Sequence, residues 1–173
     1  MTIEQVRARI RDIPDFPEPG IVFKDITPLL ADPVAFSTAI DLIVLHFGRG
    51  NVDKVVGIEA RGFIIGSPVA YHFDAGFVPV RKAGKLPSAT TAESYELEYG
   101  QATIEIHTDA ITPGERVLIV DDVLATGGTA RAAANLVERV GGNVIGLACI
   151  IELGFLDGRT RLGDLDVYSL ITY

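Results

Sequence analysis

The chain has 173 residues, a formal charge of −8 and a pI near 4.8, and it is 48% hydrophobic with a mean hydropathy of +0.32. That length and composition predict one domain with a real core and exclude a disordered chain. The acidic balance argues against nonspecific binding to nucleic acid or anionic membranes. No apolar run, the longest being Val144 to Ile151, approaches the roughly 18–20 residues of a membrane span, and the one cysteine, Cys149, permits no internal disulfide.

The N-terminal stretch is charged early and has no apolar centre, so the sequence predicts no secretory signal and a cytoplasmic location. Thr2-Ile3-Glu4-Gln5 is a capping-box pattern that predicts a short helix to about Asp12. Pro14, Pro17, Pro19 and Gly20 then predict an extended, helix-free segment. Asp32 before Pro33 reads as N-cap and first helical residue. Val34, Ile40, Ile43, Val44 and Phe47 continue at near-helical spacing, and Gly48 and Gly50 stop the helix.

From there strands and helices alternate. Val55 to Ile58 is a short apolar strand, Arg61 to Phe73 a helix, and Phe77 to Val80 a second strand. Val117 to Val120 is a third, unbroken in polarity as strands covered on both faces tend to be. A helix follows from about Thr129, with Ala133, Leu136, Val137 and Val140 on one face and Gly141-Gly142 as its stop. Val144 to Ile151 and Val167 to Ile171 complete five strands. The alternation predicts an α/β fold: a central, mostly parallel sheet flanked by helices. Between Gly84 and Gly114 the pattern changes. Ser88 to Thr91 is small and polar, and Tyr95–Tyr99 and Thr103–Ile106 alternate like hairpin arms, a common form for a flexible active-site lid.

The strongest chemical signal is Val117-Leu118-Ile119-Val120-Asp121-Asp122-Val123-Leu124-Ala125-Thr126-Gly127-Gly128-Thr129. A buried strand ends, two carboxylates follow at its tip, and a small Gly/Thr loop starts a helix, the place where open parallel sheets bind ligands. Backbone N–H groups, the Thr126 and Thr129 hydroxyls and the helix's positive end suit a terminal phosphate, and Gly127 and Gly128 let the backbone curl around it. Neither Gly-Lys-Ser/Thr nor G-x-G-x-x-G is present at this loop, so it is neither a hydrolytic P-loop nor a dinucleotide fingerprint. Asp121 and Asp122 repel phosphate but accept from hydroxyls. A ligand with a phosphate at one end and a diol beside it is a ribose 5-phosphate.

This string resembles the 5-phosphoribosyl pyrophosphate (PRPP) signature of the type I phosphoribosyltransferases. Other segments resemble the adenine phosphoribosyltransferases within that family: Phe16-Pro17-Glu18-Pro19-Gly20-Ile21-Val22-Phe23-Lys24-Asp25-Ile26, Glu59-Ala60-Arg61-Gly62-Phe63, Arg81-Lys82 through Lys85-Leu86-Pro87, and Ser94-Tyr95-Glu96-Leu97-Glu98-Tyr99-Gly100. The likeness runs in family order from about residue 12 to the end.

The resemblance implies one phosphoribosyltransferase domain over 1–173, with an N-terminal base-binding hood at 1–30 and a catalytic loop and hairpin at 84–107. It implies the reaction adenine plus PRPP to AMP plus diphosphate, a step of purine salvage. Ala125, Thr126, Gly127, Gly128 and Thr129 would hold the 5-phosphate, and Asp121 and Asp122 the ribose hydroxyls. Glu59, Ala60, Arg61, Arg81, Lys82 and Lys85 would face the pyrophosphate, and Val22, Phe23 and Lys24 the adenine. Glu98 would be the acid/base, with Arg61 also catalytic, and Tyr99 would order the loop. Mg²⁺ would arrive on PRPP rather than in a protein metal site, and the chain would form a homodimer in which Arg81 reaches across the interface. A hypoxanthine/guanine-type enzyme and a non-catalytic PRPP-sensing regulator are the alternatives. The −8 charge and the lack of spare length for a nucleic-acid-binding domain disfavour the regulator.

Overall fold

The computed structural model describes residues 1–97 and 100–173. It divides into two compact units, 1–42 and 43–173.

The first unit opens with α1 (Ile3–Arg7), closed by the expected capping box: Gln5 N–H donates to Thr2 Oγ1, and Thr2 N–H donates to Gln5 Oε1. The helix is shorter than the sequence suggested. It stops before Asp12 because residues 11–14 are taken into a strand. β1 (Arg11–Pro14) pairs antiparallel with β2 (Val22–Asp25), placing Arg11 opposite Asp25 and Ile13 opposite Phe23. Arg11 Nη2 donates to Asp25 Oδ2 at 2.7 Å, and with the Thr27 amide and hydroxyl this ties the Asp25 carboxyl. The proline-rich segment between the strands is therefore the turn of a ribbon. A short α2 (Thr27–Ala31), which the sequence did not suggest, precedes α3 (Pro33–Phe47). Asp32 caps α3 as expected, accepting from the Val34 and Ala35 amides at 3.0 Å. Ala35, Ala39, Ile40, Ile43, Val44 and Phe47 form its buried stripe, whereas Val34 is exposed. Gly48, at φ +75°, ends it.

The second unit, which starts within α3, is built on one seven-stranded sheet. Its strands are β3 (Lys54–Ile58), β4 (Gly76–Lys82), β5 (Thr90–Glu96), β6 (Gln101–His107), β7 (Arg116–Leu124), β8 (Asn143–Glu152) and β9 (Val167–Thr172), in spatial order β5-β6-β4-β3-β7-β8-β9. The five strands from β4 to β9 run parallel, as the alternation predicted; β5 and β6 add an antiparallel edge. α4 (Arg61–Phe73) follows β3, and α5 (Gly128–Arg139) follows β7. The core gathers Val56, Val78, Val117, Ile119, Leu147 and Cys149 from the sheet with Ala133, Leu136 and Val137 from α5.

Two strand boundaries differ from the sequence reading. β7 continues through Asp121 and Asp122 to Leu124, because its ladder with β8 pairs Asp121 with Cys149 and Leu124 with Glu152. The two aspartates, expected just past the strand's end, are strand residues. Likewise Thr90 and Thr91, expected in a polar loop, already pair with His107 and Ile106.

Leu118 is fully buried in the central strand β7. Leu118→Ala is expected to lower stability by about 2–5 kcal/mol, the usual cost of a large-to-small change in a close-packed core. Urea unfolding should show a lower midpoint at an unchanged slope.

Candidate active site

The C-terminal ends of β3, β4 and β7 open onto a cavity of about 470 Å³. Its wall includes Ile58, Glu59, Ala60 and Arg61 from the β3–α4 turn, Lys82 from β4, Tyr95 from β5, and the run Asp121 to Ala130 from β7 into α5. Most of the residues singled out for phosphate, ribose and pyrophosphate thus converge on one space, although they are separated by up to 70 positions in the chain.

The turn from β7 to α5 is the most constrained part. Gly127 has φ +81°, a left-handed conformation that costs glycine little and other residues about 1 kcal/mol or more. A Cβ on Gly127 would overlap the Gly158 carbonyl oxygen, and one on Gly158 would overlap the Ala125 carbonyl oxygen. Two glycine backbones are pressed against each other there. Gly128 differs: its φ is ordinary, and a Cβ would meet Tyr95 Cδ2 at 3.4 Å, normal contact. The steric demand read from the Gly127-Gly128 pair therefore belongs to Gly127 alone. Among the described residues no side chain caps α5, whose first-turn N–H groups lie at the cavity wall. With the helix dipole they form a seat for an anion.

The segment carrying Gly158 is itself anchored. Glu152, a buried carboxylate at the end of β8, receives two hydrogen bonds from Arg159, at 2.6 and 2.7 Å, and one from Ser169 at 2.6 Å. Hydrogen bonding to Arg159 holds the Glu152 carboxyl below its ordinary range. The Gly158–Leu162 turn is pinned by this pair against the back of the turn that starts α5. Sequence reasoning missed it, because nothing in Gly158-Arg159 marks contact with a loop thirty residues away.

Asp121 and Asp122 sit side by side at the other end of the cavity. Asp122 is buried and ion-paired to the Arg61 Nε, while Asp121 Oδ1 accepts from the Asp122 N–H at 2.8 Å. Burial and the neighbouring Asp122 charge push the Asp121 carboxyl well above the usual range.

The basic cluster is arranged differently from the expectation. Arg81 and Lys85 do not line the cavity; both turn to Glu59, which accepts from Arg81 at 3.3 Å, from Lys85, and from the Lys82 N–H at 3.0 Å. Burial opposes ionisation of Glu59, but the hydrogen bonds from Lys85 and Arg81 outweigh it and hold its carboxyl at about 2. Glu59 was expected to lend backbone amides; its side chain is instead the hub that orders the cations. The Glu59–Ala60 peptide is cis.

Tyr95 was not singled out as a site residue. Its ring is half-buried against the core and its hydroxyl accepts from Thr129 Oγ1 at 3.1 Å. Glu98 and Tyr99 lie outside the described residues. Val22, Phe23 and Lys24 are consecutive on β2 in the first unit, where Phe23 meets Phe16 edge-on at 5.3 Å and Lys24 Nζ donates to Asp12 at 2.7 Å. Among the described residues no three His, Cys, Asp or Glu side chains gather as a metal site, and no helix is long and apolar enough to cross a membrane.

Residues 29–169 match the phosphoribosyl transferase domain family. An adenine phosphoribosyltransferase from Thermobifida fusca is 61% identical over 163 residues, 94% of this chain and 93% of that protein. One from Acidothermus cellulolyticus is 61% identical over 97% of this chain and 95% of its own length. The chain belongs to the adenine phosphoribosyltransferase family. The crystal structure of adenine phosphoribosyltransferase from Rhodothermus marinus superposes with a TM-score of 0.94 at 57% identity, covering 99% of this chain and 98% of that one. The Saccharomyces cerevisiae enzyme, solved in complex with an imino-altritol bisphosphate and adenine, superposes at 0.93 with 41% identity, covering 98% of each chain. The expected α/β fold with a mostly parallel sheet is thereby the fold of the adenine phosphoribosyltransferases.

Two outcomes test this geometry. Gly127→Ala is expected to weaken ribose 5-phosphate binding by at least tenfold, because the turn must open, whereas Gly128→Ala should change it less than threefold; calorimetric titration of both variants decides. Glu59→Gln is expected to destabilise most above about pH 5. A carboxyl depressed from 4.5 to about 2 contributes stability that is fully present above its unfolded value and lost as pH falls through its folded one. The gap between wild type and variant in urea unfolding should therefore narrow from pH 7 to pH 3.

Proposed function

We propose that this chain transfers the 5-phosphoribosyl group of PRPP to adenine, giving AMP and diphosphate in purine salvage. The observation that carries the reading is the convergence of an uncapped helix start, an aspartate pair and a cation-bearing turn on one cavity large enough for a phosphorylated pentose. The yeast relative's complex with a sugar bisphosphate and adenine supports the substrate pair.

In this reading the 5-phosphate rests on Ala125 to Thr129, and the ribose hydroxyls face Asp121 and Asp122. Diphosphate leaves toward Glu59-Ala60-Arg61 and Lys82, where Arg61 and the loop amides offset its growing charge. Lys85 serves this step through Glu59, which holds it beside the turn. Asp122 and the neighbouring carboxyl stabilise positive charge on the ribose ring as the bond to C1 breaks. Glu98 takes the proton that the attacking base nitrogen must lose, a role typically worth roughly 10²–10⁴-fold. Tyr99 orders the loop. Phe23 stacks on the base, while backbone groups at Val22 and Lys24 read its edge. A carbonyl accepts from a 6-amino group but not from a 6-oxo group, which selects adenine over hypoxanthine and guanine.

Magnesium bound to PRPP, beside Arg61 and Lys82, would lessen the charge of the leaving diphosphate. The family's habit of pairing subunits supports a homodimer in which Arg81 serves the neighbouring site, in the cytoplasm.

Incubation with PRPP, magnesium and each of adenine, hypoxanthine, guanine, xanthine and uracil tests the assignment. AMP formation from adenine alone is the expected result. Turnover of an oxopurine without adenine would reassign the base, and no turnover with any base would point to a PRPP-binding regulator.

A further inference from the structure

The turn that starts α5 carries no cation of its own: Ala125 to Thr129 include no Lys, Arg or His. The cations on the cavity wall, Arg61 and Lys82, come from the β3–α4 turn and from β4, and Arg61 is already paired with Asp122. Arg131, in the first turn of α5, points along the helix to Asn135 at 2.8 Å and Glu138 at 3.3 Å. A phosphate monoester carries a charge of about −1.5 to −2 at neutral pH, whereas a helix start supplies about +0.5. A seat made of amides alone would leave most of that charge unmatched, in a chain of net charge −8.

The Gly158–Leu162 turn, packed against this one, carries two arginines that are used differently. Arg159 is fully engaged: it donates to Glu152 at 2.6 and 2.7 Å, to the Val167 carbonyl at 2.8 Å and to Ser169 Oγ at 3.1 Å. Arg161 is exposed, and among the described residues its guanidinium makes no hydrogen bond or ion pair. Its side chain runs along the start of α5. Arg161 Cβ lies 3.3 Å from where a Cβ on Gly127 would stand, and Arg161 Nη1 lies 3.7 Å from where one on Gly128 would stand.

We infer that Arg161 is a further binding residue of the site, the cation that pairs with the 5-phosphate of the sugar phosphate. The inference rests on the seat proposed above. The amides of the turn engage some of the phosphate oxygens, and the planar guanidinium fork fits the remaining ones with parallel N–H donors. Arg161 gives up no other partner to make this contact. The two arginines divide the work: Arg159 fixes the turn on Glu152, and Arg161, two residues on, is thereby delivered beside Gly127 and Gly128. Because Arg161 is exposed, its pairing with phosphate is open to screening by salt, unlike the backbone seat.

Calorimetric titration of ribose 5-phosphate, which carries the 5-phosphate but no diphosphate, tests the pairing at two ionic strengths. Arg161→Gln should weaken binding roughly tenfold at about 0.01 M salt, the lower end of what a hydrogen bond to a charged group contributes. At about 1 M, where charges are screened beyond roughly 3 Å, the loss should shrink to less than about threefold. Arg49→Gln is the control for net charge. Arg49 is also exposed and, among the described residues, unpaired, but it precedes β3 and so lies at the opposite end of the parallel strands from the cavity. Arg49→Gln should leave the affinity unchanged at both ionic strengths. Wild-type affinity in Arg161→Gln would overturn the inference. So would a loss of the same size at both ionic strengths, which marks packing only, and so would an equal loss in Arg49→Gln, which marks the overall field. Gly127→Ala separates this from the seat itself. If it weakens binding while Arg161→Gln does not, the seat stands and Arg161 is no part of it; if neither variant weakens binding, the seat falls and the pairing with it.

Discussion

The candidate site depends on two backbones approaching more closely than any side chain permits. The turn after β7 reaches its left-handed residue at Gly127 with the Gly158 carbonyl against it, and Gly158 in turn lies against Ala125. Because neither residue has a Cβ, the turn is narrow, and the first N–H groups of α5 are brought to the cavity end of the parallel sheet. The Glu152–Arg159 pair holds Gly158 from behind. An anion seat made of backbone amides is only as well ordered as the turn that aims them. Here that order comes from contacts on the side away from the ligand.

Charge is managed by the same principle. A chain of net charge −8 that is to hold a phosphorylated sugar needs local positive groups in fixed places. Glu59 gathers Arg81, Lys85 and the Lys82 amide, and Asp122 gathers Arg61. Both carboxylates are mostly buried, while the cations they hold stay partly exposed toward solvent. Cations held this way need little reorganisation when a charged leaving group develops, which is where electrostatic stabilisation is most effective.

Much of this was legible in the sequence. The parallel strands announced themselves as apolar runs, and α3 by Asp32-Pro33. The turn that lines the cavity showed as a Gly/Thr loop after a buried strand. What was illegible came from pairing partners distant in the chain. Arg11 and Asp12 look like the end of a helix until β2 offers them a ladder. Val117 to Val120 look like the whole strand until β8 extends β7 through Asp121 and Asp122 to Leu124. Arg81 and Lys85 read as substrate cations, but their nearest negative partner is Glu59, 22 and 26 positions away. Gly127 and Gly128 look equivalent in the string, and only the position of Gly158 separates them.

A crystal structure of this chain with AMP tests the central claim most directly. The account predicts the phosphate on the amides of residues 126–129, with the pentose hydroxyls against Asp121 and Asp122. A nucleotide whose phosphate lies away from the Gly127 turn would contradict it.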